Sequence, residues 1–385
     1  MDLWRVKPPC RIGFLVDDCR IILFAGGGTG GHLFPGIAVA QALARQSSTL
    51  KPLFLCTERP IDRTILGPTG FEFIPQPIVP PTRSIGGLLK FWRSWRETRD
   101  LVKTTLDRRK PVAAVGLGGY AAGIAIKRAA RRLPTVILNP DVIPGKANRY
   151  LLPDVRLICC QFEQTAEHVP PQHRDKLRVT GCPIRADLYP LPSRAEAAGR
   201  LGLDASLLTL VITGASQGAK TVNEAVLEAL QGVRLQGWQV LHLAGTDHAA
   251  SVRQEYRELN IEARVIDFTD QMRDIWAVAD LCISRSGAST CAELTAAGVP
   301  AILMPYPFHA DLHQRANARV LADAGAAVLV DDQKDRRRNA AILRPVLERL
   351  LYDATARREM SDRSRALGRT DAADRVAEEL IRLLA

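Results

Sequence analysis

Residues 21–32 read IILFAGGGTGGH, and residues 210–218 read LVITGASQG. Both stretches are short apolar runs that end in a glycine-rich turn. Such a run is typical of a strand buried in a parallel sheet, and the turn after it lets the chain start a helix close to the sheet. Because the pattern occurs in both halves of the chain, it predicts two similar α/β domains.

The composition is that of a globular protein. The chain has 385 residues, of which 46% are hydrophobic and 24% charged, so it can form two domains with buried cores. These values exclude a disordered chain, a collagen and a coiled coil. The longest uncharged apolar run, residues 112–126, is shorter than the roughly 20 residues that span a membrane. Charges interrupt the apolar stretches near the N-terminus, so no secretory signal is expected. The eight cysteines include no C-x-x-C pair, and we expect reduced thiols.

Short apolar runs alternate with longer amphipathic stretches along both halves. We predict strands at residues 21–24, 53–56, 113–115, 136–138, 157–160 and 177–180, and again at 208–213, 240–243, 264–266, 281–283, 301–304 and 327–330. Strands that alternate with helices form a parallel sheet covered by helices on both faces. The sequence therefore predicts two Rossmann-like domains whose sheets face each other across a ligand-binding cleft.

The domain boundary is predicted between Pro183 and Arg200, a stretch that contains Pro190 and Pro192. We divide the chain into an N-terminal extension, two domains and a C-terminal helix. The four segments are residues 1–19, 20–185, 186–370 and 371–385. The sequence leaves open whether the last helix packs back on the first domain.

The first glycine turn has more than one interpretation. It matches G-x-G-x-x-G, and Glu58 follows the second strand, as the ribose-binding acid of a dinucleotide site would. Backbone N–H groups at the start of a helix also bind other anions, and a tight packing turn explains the same glycines. His32 follows the turn directly. A helix N-terminus disfavours the imidazolium, so His32 could act as a base near neutral pH, or it could only cap the loop.

Two further motifs follow strands of the second half. Residues 284–293 read SRSGASTCAE, and small residues and hydroxyls at the start of a helix can hold a phosphate. Glu293 could accept two hydrogen bonds from a ribose diol, or it could only be an acid stabilised by the helix dipole. Residues 305–317 read PYPFHADLHQRAN, a polar loop before a helix. Arg185 and Ser216 are the other polar candidates.

The net charge of the chain suits an anionic partner such as nucleic acid, an acidic membrane surface or a phosphorylated substrate, or it reflects only a chain rich in arginine. Lysine and arginine exceed aspartate and glutamate by 52 to 41, for a net charge of +11. Between Arg83 and Lys110, apolar and basic side chains are interleaved. They are Leu88, Leu89, Phe91, Trp92 and Trp95, and Arg83, Lys90, Arg93, Arg96 and Arg99. The pattern suits a helix on an anionic membrane surface, and it equally suits a helix with one buried face.

Several of these motifs together resemble the MurG family of glycosyltransferases. The resemblance begins with GGTGGHLFPGIAVA at residues 27–40. It continues in order through GLGGY at 116–120, GASQGA at 214–219, the stretch 284–293, and DLHQRANAR at 311–319. It covers about residues 20–385.

The resemblance implies an α/β fold of the glycosyltransferase B type, with two Rossmann-like domains. It also implies an inverting transfer of N-acetylglucosamine from UDP to the muramyl 4-hydroxyl of the undecaprenyl-linked precursor lipid I, which gives lipid II in peptidoglycan synthesis. The first domain would receive the acceptor and bind the membrane, and the second would bind the UDP-sugar. The implied partners are UDP-N-acetylglucosamine, lipid I and the anionic cytoplasmic face of the inner membrane, where the protein would be peripheral. No nucleic acid is expected.

The resemblance also assigns expected roles to single residues. His32 would be the candidate catalytic base. Glu293 would hold the ribose, Phe268 would flank the uracil and Gln314 would touch the sugar hydroxyls. The remaining substrate-binding positions are Thr29, Gly30 and Gly31 at the first turn, and Arg185, Ser216, Thr269, Ala288, Ser289 and Thr290 for the nucleotide sugar. The family binds membranes through an apolar patch with basic surroundings, which favours residues 83–110 or the neighbouring 71–78.

One departure keeps alternatives open. Residues 138–141 read LNPD, where the family usually has His-Glu-Gln-Asn. Asn139 therefore takes the place of a glutamate, and Asp141 replaces an asparagine that contacts the donor sugar. A carboxylate accepts a hydrogen bond but does not donate one. Three alternatives therefore stay open: a transferase of the same fold for another lipid acceptor, an NAD-dependent dehydrogenase, and an inert UDP-sugar-binding module. The dehydrogenase hypothesis does not explain the motif at residues 284–293. No paired-carboxylate metal site is evident, and we expect no metal or other cofactor.

Overall fold

The computed structural model of the chain describes residues 19–80, 84–214 and 218–385. The predicted N-terminal extension, apart from Cys19, lies outside the described residues. So do Arg83 and Ser216. The described residues form two parallel sheets, each with helices on both faces.

The first sheet has seven strands in the order β3-β2-β1-β4-β5-β6-β7, and all neighbouring strands are parallel. The strands are β1 (Arg20–Ala25), β2 (Leu50–Thr57), β3 (Glu72–Gln76), β4 (Ala113–Gly116), β5 (Thr135–Asn139), β6 (Leu157–Cys160) and β7 (Leu177–Val179). The helices of this half are α1 (Gly30–Gln46), α2 (Pro60–Leu66), α3 (Ile85–Arg109), α4 (Gly119–Ala129) and α5 (Lys146–Leu151).

The second sheet has six parallel strands in the order β10-β9-β8-β11-β12-β13. Its strands are β8 (Leu208–Thr213), β9 (Trp238–Leu243), β10 (Ala263–Ile266), β11 (Ala279–Ser284), β12 (Ala301–Leu303) and β13 (Ala327–Leu329). The helices are α6 (Arg194–Leu201), α7 (Lys220–Ala229), α8 (Ala249–Glu258), α9 (Met272–Val278), α10 (Ala288–Ala297), α11 (His313–Asp323), α12 (Arg336–Tyr352), α13 (Ala354–Leu367) and α14 (Ala372–Leu384).

Both sheets reverse their strand order beside the strand that precedes a glycine turn. In the first sheet β1 lies between β2 and β4, and in the second β8 lies between β9 and β11. A crevice opens at such a switch point, at the carboxyl ends of the strands, and ligands bind there in open α/β sheets. The predicted architecture, an α/β fold with two Rossmann-like domains, is confirmed.

Burial explains why β1 reads as a continuous apolar run. Ile22 and Phe24 belong to the core on one face of the sheet, while Leu23 and Ala25 belong to the core on the other face. Side chains alternate between the faces of a strand, so a strand covered on both sides has no polar face. The same holds for β8, where Leu210 and Val211 lie in different clusters.

All twelve predicted strands are present, and β3 was missed. Pro75 interrupts its apolar pattern, and a strand that contains proline is confined to the edge of a sheet, which is where β3 lies. The alternative membrane segment, residues 71–78, overlaps this strand. Phe71 and Phe73 pack against the core, and Ile78 is buried.

The C-terminal helix α14 packs against the first half of the chain. Val376, Ala377 and Leu380 are buried in the same core as residues of α1. Arg45 donates a hydrogen bond to Asp374 at 2.9 Å. The chain thus crosses between the sheets twice, once before α6 and once between α13 and α14.

Helix α3 carries four large exposed apolar side chains in its first turns. Its N-cap Ser84 accepts a hydrogen bond from the Gly87 N–H. Ile85 is 82% exposed, and Leu88, Leu89 and Trp92 are also exposed. The first turns of α3 therefore do not use their apolar side chains for a buried face. Among the helices of the described residues, none combines the length and apolar content that a membrane span requires.

Candidate functional site

A cavity of about 1190 Å³ lies between the two halves, where the carboxyl ends of both sheets meet. The starts of α1, α4 and α10 all contribute to its wall, through Gly31, Gly119 and Ala288. Each helix start carries a partial positive charge and free backbone N–H groups. The cavity is therefore suited to an anionic ligand, and its wall comes from both domains.

A buried carboxylate fixes the first glycine turn. Asp62, in α2, is fully buried and accepts hydrogen bonds from the Gly28 N–H at 2.8 Å and from the Thr57 N–H and hydroxyl at 2.7 Å. A β-carbon on Gly27 would lie 2.2 Å from the Asp62 Oδ2, so only glycine fits there. Arg59 donates to the Gly28 carbonyl at 2.7 Å. The backbone N–H of Gly28 thus donates to a carboxylate of the protein itself.

His32 lies in the first turn of α1 and lines the cavity. Its Nδ1 lies 3.2 Å from the Thr29 Oγ1, and its ring packs on the backbone of Gly118 and Gly119, where β-carbons would lie 3.0–3.2 Å from ring atoms. Burial lowers the pKa of His32 below the ordinary value of 6.5. The neutral ring therefore predominates at pH 7, and its main cause is desolvation rather than the helix N-terminus that the sequence suggested.

Two carboxylates oppose this effect. The negative charges of Asp141 and Asp62 raise the pKa of His32, as does a hydrogen bond with the Gly27 backbone. Asp141 lines the same cavity as His32 but comes from the loop after β5. A nearby carboxylate stabilises the imidazolium, so Asp141 makes His32 a stronger base than burial alone would leave it.

Asp141 also links the two halves. Its Oδ1 accepts a hydrogen bond from the Asn317 Nδ2 at 2.7 Å, and the Asn317 Oδ1 accepts one from the Val142 N–H at 2.9 Å. Asn317 is fully buried in α11 and also donates to the Ser286 carbonyl. The residue that departs from the family pattern is therefore a contact between domains.

Helix α10 carries the second group of predicted residues. Ala288, Ser289 and Thr290 line the cavity at its start. One turn later, Glu293 accepts a hydrogen bond from the Trp276 Nε1 at 2.9 Å. Burial raises the pKa of Glu293 to about 7, against the Trp276 hydrogen bond and the positive charge of Arg185, which lower it.

Arg185 and Glu293 lie close enough to affect each other's pKa. Arg185 donates to the Asp270 carbonyl at 2.8 Å and pairs with Asp187, and its guanidinium lies 5.1 Å from the centre of the Phe34 ring. Phe268 is 59% exposed in the loop that follows β10.

The other predicted residues are placed as follows. The Thr269 hydroxyl accepts a hydrogen bond from the Gln271 N–H at 3.0 Å. Gln314 uses its amide oxygen to accept from the Tyr306 N–H at 3.0 Å and lies next to His313, which lines the cavity. Thr29 is the exposed N-cap of α1 and precedes Gly30 and Gly31. Ser216 lies outside the described residues.

The wall of the cavity also contains aromatic and basic side chains, which the sequence analysis did not assign to the site. Phe91 and Trp95 of α3 and Lys127 of α4 line the cavity. Trp95 contacts Trp92 at 5.9 Å between ring centres. The exposed apolar turns of α3 thus continue into the cavity along one helix.

Sequence reasoning missed Asp62 and Asn317. It chose Glu58 as the acid after the second strand, but Glu58 is exposed. Asp62 could have been noticed as the acidic residue in the first turn of α2, the helix that follows the second strand. Asn317 was quoted in a motif, but nothing local to it showed a contact with Asp141.

Comparisons with known proteins agree with this architecture. The Glycosyltransferase family 28 N-terminal domain matches residues 22–156, and the Glycosyltransferase family 28 C-terminal domain matches residues 209–376. These matches define the class: the protein is a glycosyltransferase with two domains of the B type. They favour this class over the dehydrogenase.

Similar proteins and a solved structure indicate which family of glycosyltransferases the chain resembles. A protein of Halothermothrix orenii is 33% identical over 90% of this chain and 95% of its own length, and one of Sorangium cellulosum is 37% identical over 94% and 88%. Both carry the name UDP-N-acetylglucosamine--N-acetylmuramyl-(pentapeptide) pyrophosphoryl-undecaprenol N-acetylglucosamine transferase. The crystal structure of Acinetobacter baumannii MurG is similar with a TM-score of 0.74 and 25% identity, over 94% of this chain and 99% of that one. The chain belongs to the MurG family within glycosyltransferase family 28.

The electrostatic role of Asp141 can be measured without substrate. Replacing Asp141 by Asn removes a negative charge that raises the pKa of His32, so the pKa should fall further below 6.5. We expect the His32 ring signal in an NMR titration to have a lower midpoint in the Asp141→Asn variant. The His32→Ala variant assigns the signal.

Asp187→Asn is the matched control, because Asp187 pairs with Arg185 and does not affect the pKa of His32. An unchanged or higher midpoint in Asp141→Asn would contradict the assigned role.

Proposed function

We propose that the protein transfers N-acetylglucosamine from UDP-N-acetylglucosamine to the muramyl hydroxyl of the undecaprenyl-pyrophosphoryl pentapeptide acceptor, lipid I, and forms lipid II. One observation carries the proposal. A single cavity joins a neutral histidine of the first domain to the start of α10 in the second, in a chain whose relatives have that name.

The second domain would bind the donor. The start of α10 offers backbone N–H groups and the hydroxyls of Ser289 and Thr290 to the diphosphate. Glu293, one turn further, would accept hydrogen bonds from the ribose diol, and Phe268 would pack on the uracil. As UDP leaves it gains negative charge, which the helix start stabilises without reorganisation.

The first domain would activate the acceptor. The muramyl 4-hydroxyl oxygen attacks the anomeric carbon from the face opposite UDP, the bond between the sugar and the diphosphate breaks, and the configuration inverts. His32 accepts the hydroxyl proton, since its ring is neutral and lines the cavity. Gly30 and Gly31, at the same helix start, would contact the acceptor sugar or a phosphate.

The first turns of α3 would bind the cytoplasmic face of the inner membrane. The exposed apolar side chains of these turns are Ile85, Leu88, Leu89 and Trp92. A group of exposed apolar side chains on the surface of a folded protein usually marks a binding site. Basic residues of the same helix, Lys90, Arg93 and Arg96, are exposed beside them and suit anionic lipid. Because α3 also lines the cavity, a bound membrane would lie next to the site that receives a lipid-linked acceptor.

Donor binding should depend on the ionisation of Glu293. Its pKa is about 7, so the carboxylate that accepts from the ribose is present above that pH and is lost below it. UDP-N-acetylglucosamine should therefore bind up to about tenfold more tightly at pH 8 than at pH 6. Glu293→Gln should weaken binding about 10- to 100-fold at pH 8 and remove the pH dependence. Isothermal titration calorimetry measures both.

Glu262→Gln changes an exposed glutamate of the same domain and should bind the donor as the wild type does. Equal donor affinity in Glu293→Gln would refute the role of Glu293, and binding of NAD instead of UDP would refute the proposed donor.

Turnover should depend on His32. Loss of a general base costs about 10²- to 10⁴-fold in rate, so His32→Ala should lower kcat by that factor and leave the donor Kd within about twofold. The assay follows transfer of labelled N-acetylglucosamine to a lipid I analogue.

His168→Ala, at an exposed histidine far along the chain, is the control. A kcat within tenfold of the wild type in His32→Ala would exclude the ring as the base. A wild type that turns over only other lipid acceptors would favour the alternative transferase.

Membrane binding should require the exposed turns of α3. Leu89→Glu should lower the fraction that co-sediments with phosphatidylglycerol vesicles, with an affinity loss of about tenfold or more, because a leucine side chain contributes about 1.5–3 kcal/mol on burial. Added salt should weaken binding through the basic residues.

Ile342→Glu makes the same kind of change on α12 of the second domain, where Ile342 is 42% exposed. It should leave binding unchanged. Binding that is indifferent to Leu89→Glu, or equal on neutral and anionic vesicles, would count against this surface.

A further inference from the structure

A cluster of three potential metal ligands lies at the second-domain edge of the cavity. The cluster consists of His309, Asp311 and His313, and one ligand atom of each lies within 4.8 Å of the others. The Asp311 Oδ1 lies 2.7 Å from the His313 Nδ1, and the rings of His309 and His313 stack with centres 4.6 Å apart. The proposed transfer mechanism uses none of these side chains.

The backbone between the ligands adopts a costly conformation. Leu312 has φ of 50° and ψ of 29°, which is left-handed and costs a residue with a β-carbon about 1–2 kcal/mol. Its side chain is 47% exposed, so burial of the leucine does not repay this cost. The turn lets the side chains on either side of Leu312, Asp311 and His313, meet.

We propose that His309, Asp311 and His313 bind one divalent transition-metal ion. Two imidazole nitrogens and one carboxylate oxygen form a ligand set that Zn²⁺, Co²⁺ and Ni²⁺ prefer, whereas Mg²⁺ and Ca²⁺ prefer oxygen ligands alone. Three protein ligands with spacing i, i+2 and i+4 in one short segment leave at least one coordination position for water or an oxygen of another molecule.

The geometry is close to what such an ion needs. Ligand atoms about 2.0–2.1 Å from a tetrahedral ion lie roughly 3.4 Å apart, so the 4.8 Å span must contract by about 1.4 Å. The Asp311 Oδ1 and the His313 Nδ1, now 2.7 Å apart, must separate by about 0.7 Å as the ion replaces their hydrogen bond. Rotation of the His309 side chain can supply the contraction, since His309 is exposed. Asp311 and His313 line the cavity, so the open position of the ion would face it.

The test uses the full chain without a polyhistidine tag, freed of metal by a chelator. Equilibrium dialysis against Zn²⁺ should give one saturable site per chain, and Co²⁺ should give a visible d–d absorption band. His309→Ala and His313→Ala should each weaken binding at least tenfold, because even an outer partner of a metal ligand contributes about 10- to 100-fold. Excess Mg²⁺ should not displace Zn²⁺.

His168→Ala removes an exposed histidine elsewhere and should bind Zn²⁺ as the wild type does. Thermal unfolding without metal verifies that the variants fold, and the exposed His309 gives the variant least able to disturb the core. The proposal would be overturned if the wild type had no saturable Zn²⁺ site, or if His309→Ala and His313→Ala bound Zn²⁺ as tightly as the wild type does. Displacement of Zn²⁺ by excess Mg²⁺ would also overturn it. None of these measurements depends on glycosyl transfer, so the metal site and the proposed function can fail separately.

Discussion

The shape of the first glycine turn depends on the buried carboxylate of Asp62. A buried carboxylate is tolerated only when hydrogen bonds replace its hydration, and Asp62 obtains them from the Gly28 N–H and from both donors of Thr57. The same bonds set where α1 begins and hence where His32 faces the cavity. Because Gly27 has no β-carbon, the Asp62 carboxylate can approach the turn. The glycines of the turn are therefore needed for this internal contact before any ligand binds.

The second constraint is the contact between the halves. The cavity exists because the starts of α1 and α4 face the start of α10, and Asn317 holds this arrangement through Asp141 and Val142. The C-terminal helix adds a separate connection, since α14 buries Leu380 in the core of the first half. The site is therefore assembled from segments far apart in the sequence.

Because the site residues are far apart in the sequence, only part of the fold and of the site could be predicted from it. Residues 21–32 contain a buried strand, a turn and a helix start in one stretch, and these local signals were sufficient for the fold and for His32. The edge strand β3 lacked such a signal because Pro75 breaks its pattern. Asp62 also binds Gly28, 34 positions away, and its place in the first turn of α2 does not by itself indicate that contact. Asn317 acts on Asp141, 176 positions away, and no local pattern encodes this contact. The roles of the predicted site residues stay predictions. The structure places Gly31, His32, Asp141 and residues 288–290 on the wall of the cavity, while Arg185, Phe268, Thr269, Glu293 and Gln314 are not among its lining residues.

Burial acts in opposite directions on the two titratable groups of the site. It lowers the pKa of His32 and raises that of Glu293, because in each case it disfavours the charged form. A base whose pKa falls too far becomes a weak proton acceptor, so desolvation that keeps His32 neutral also reduces its strength. Asp141 offsets part of this loss. From the sequence, the replacement of the family's asparagine by Asp141 concerned only hydrogen bonds to a sugar. In the structure its negative charge also raises the pKa of His32, the side chain that accepts the proton in the proposed reaction.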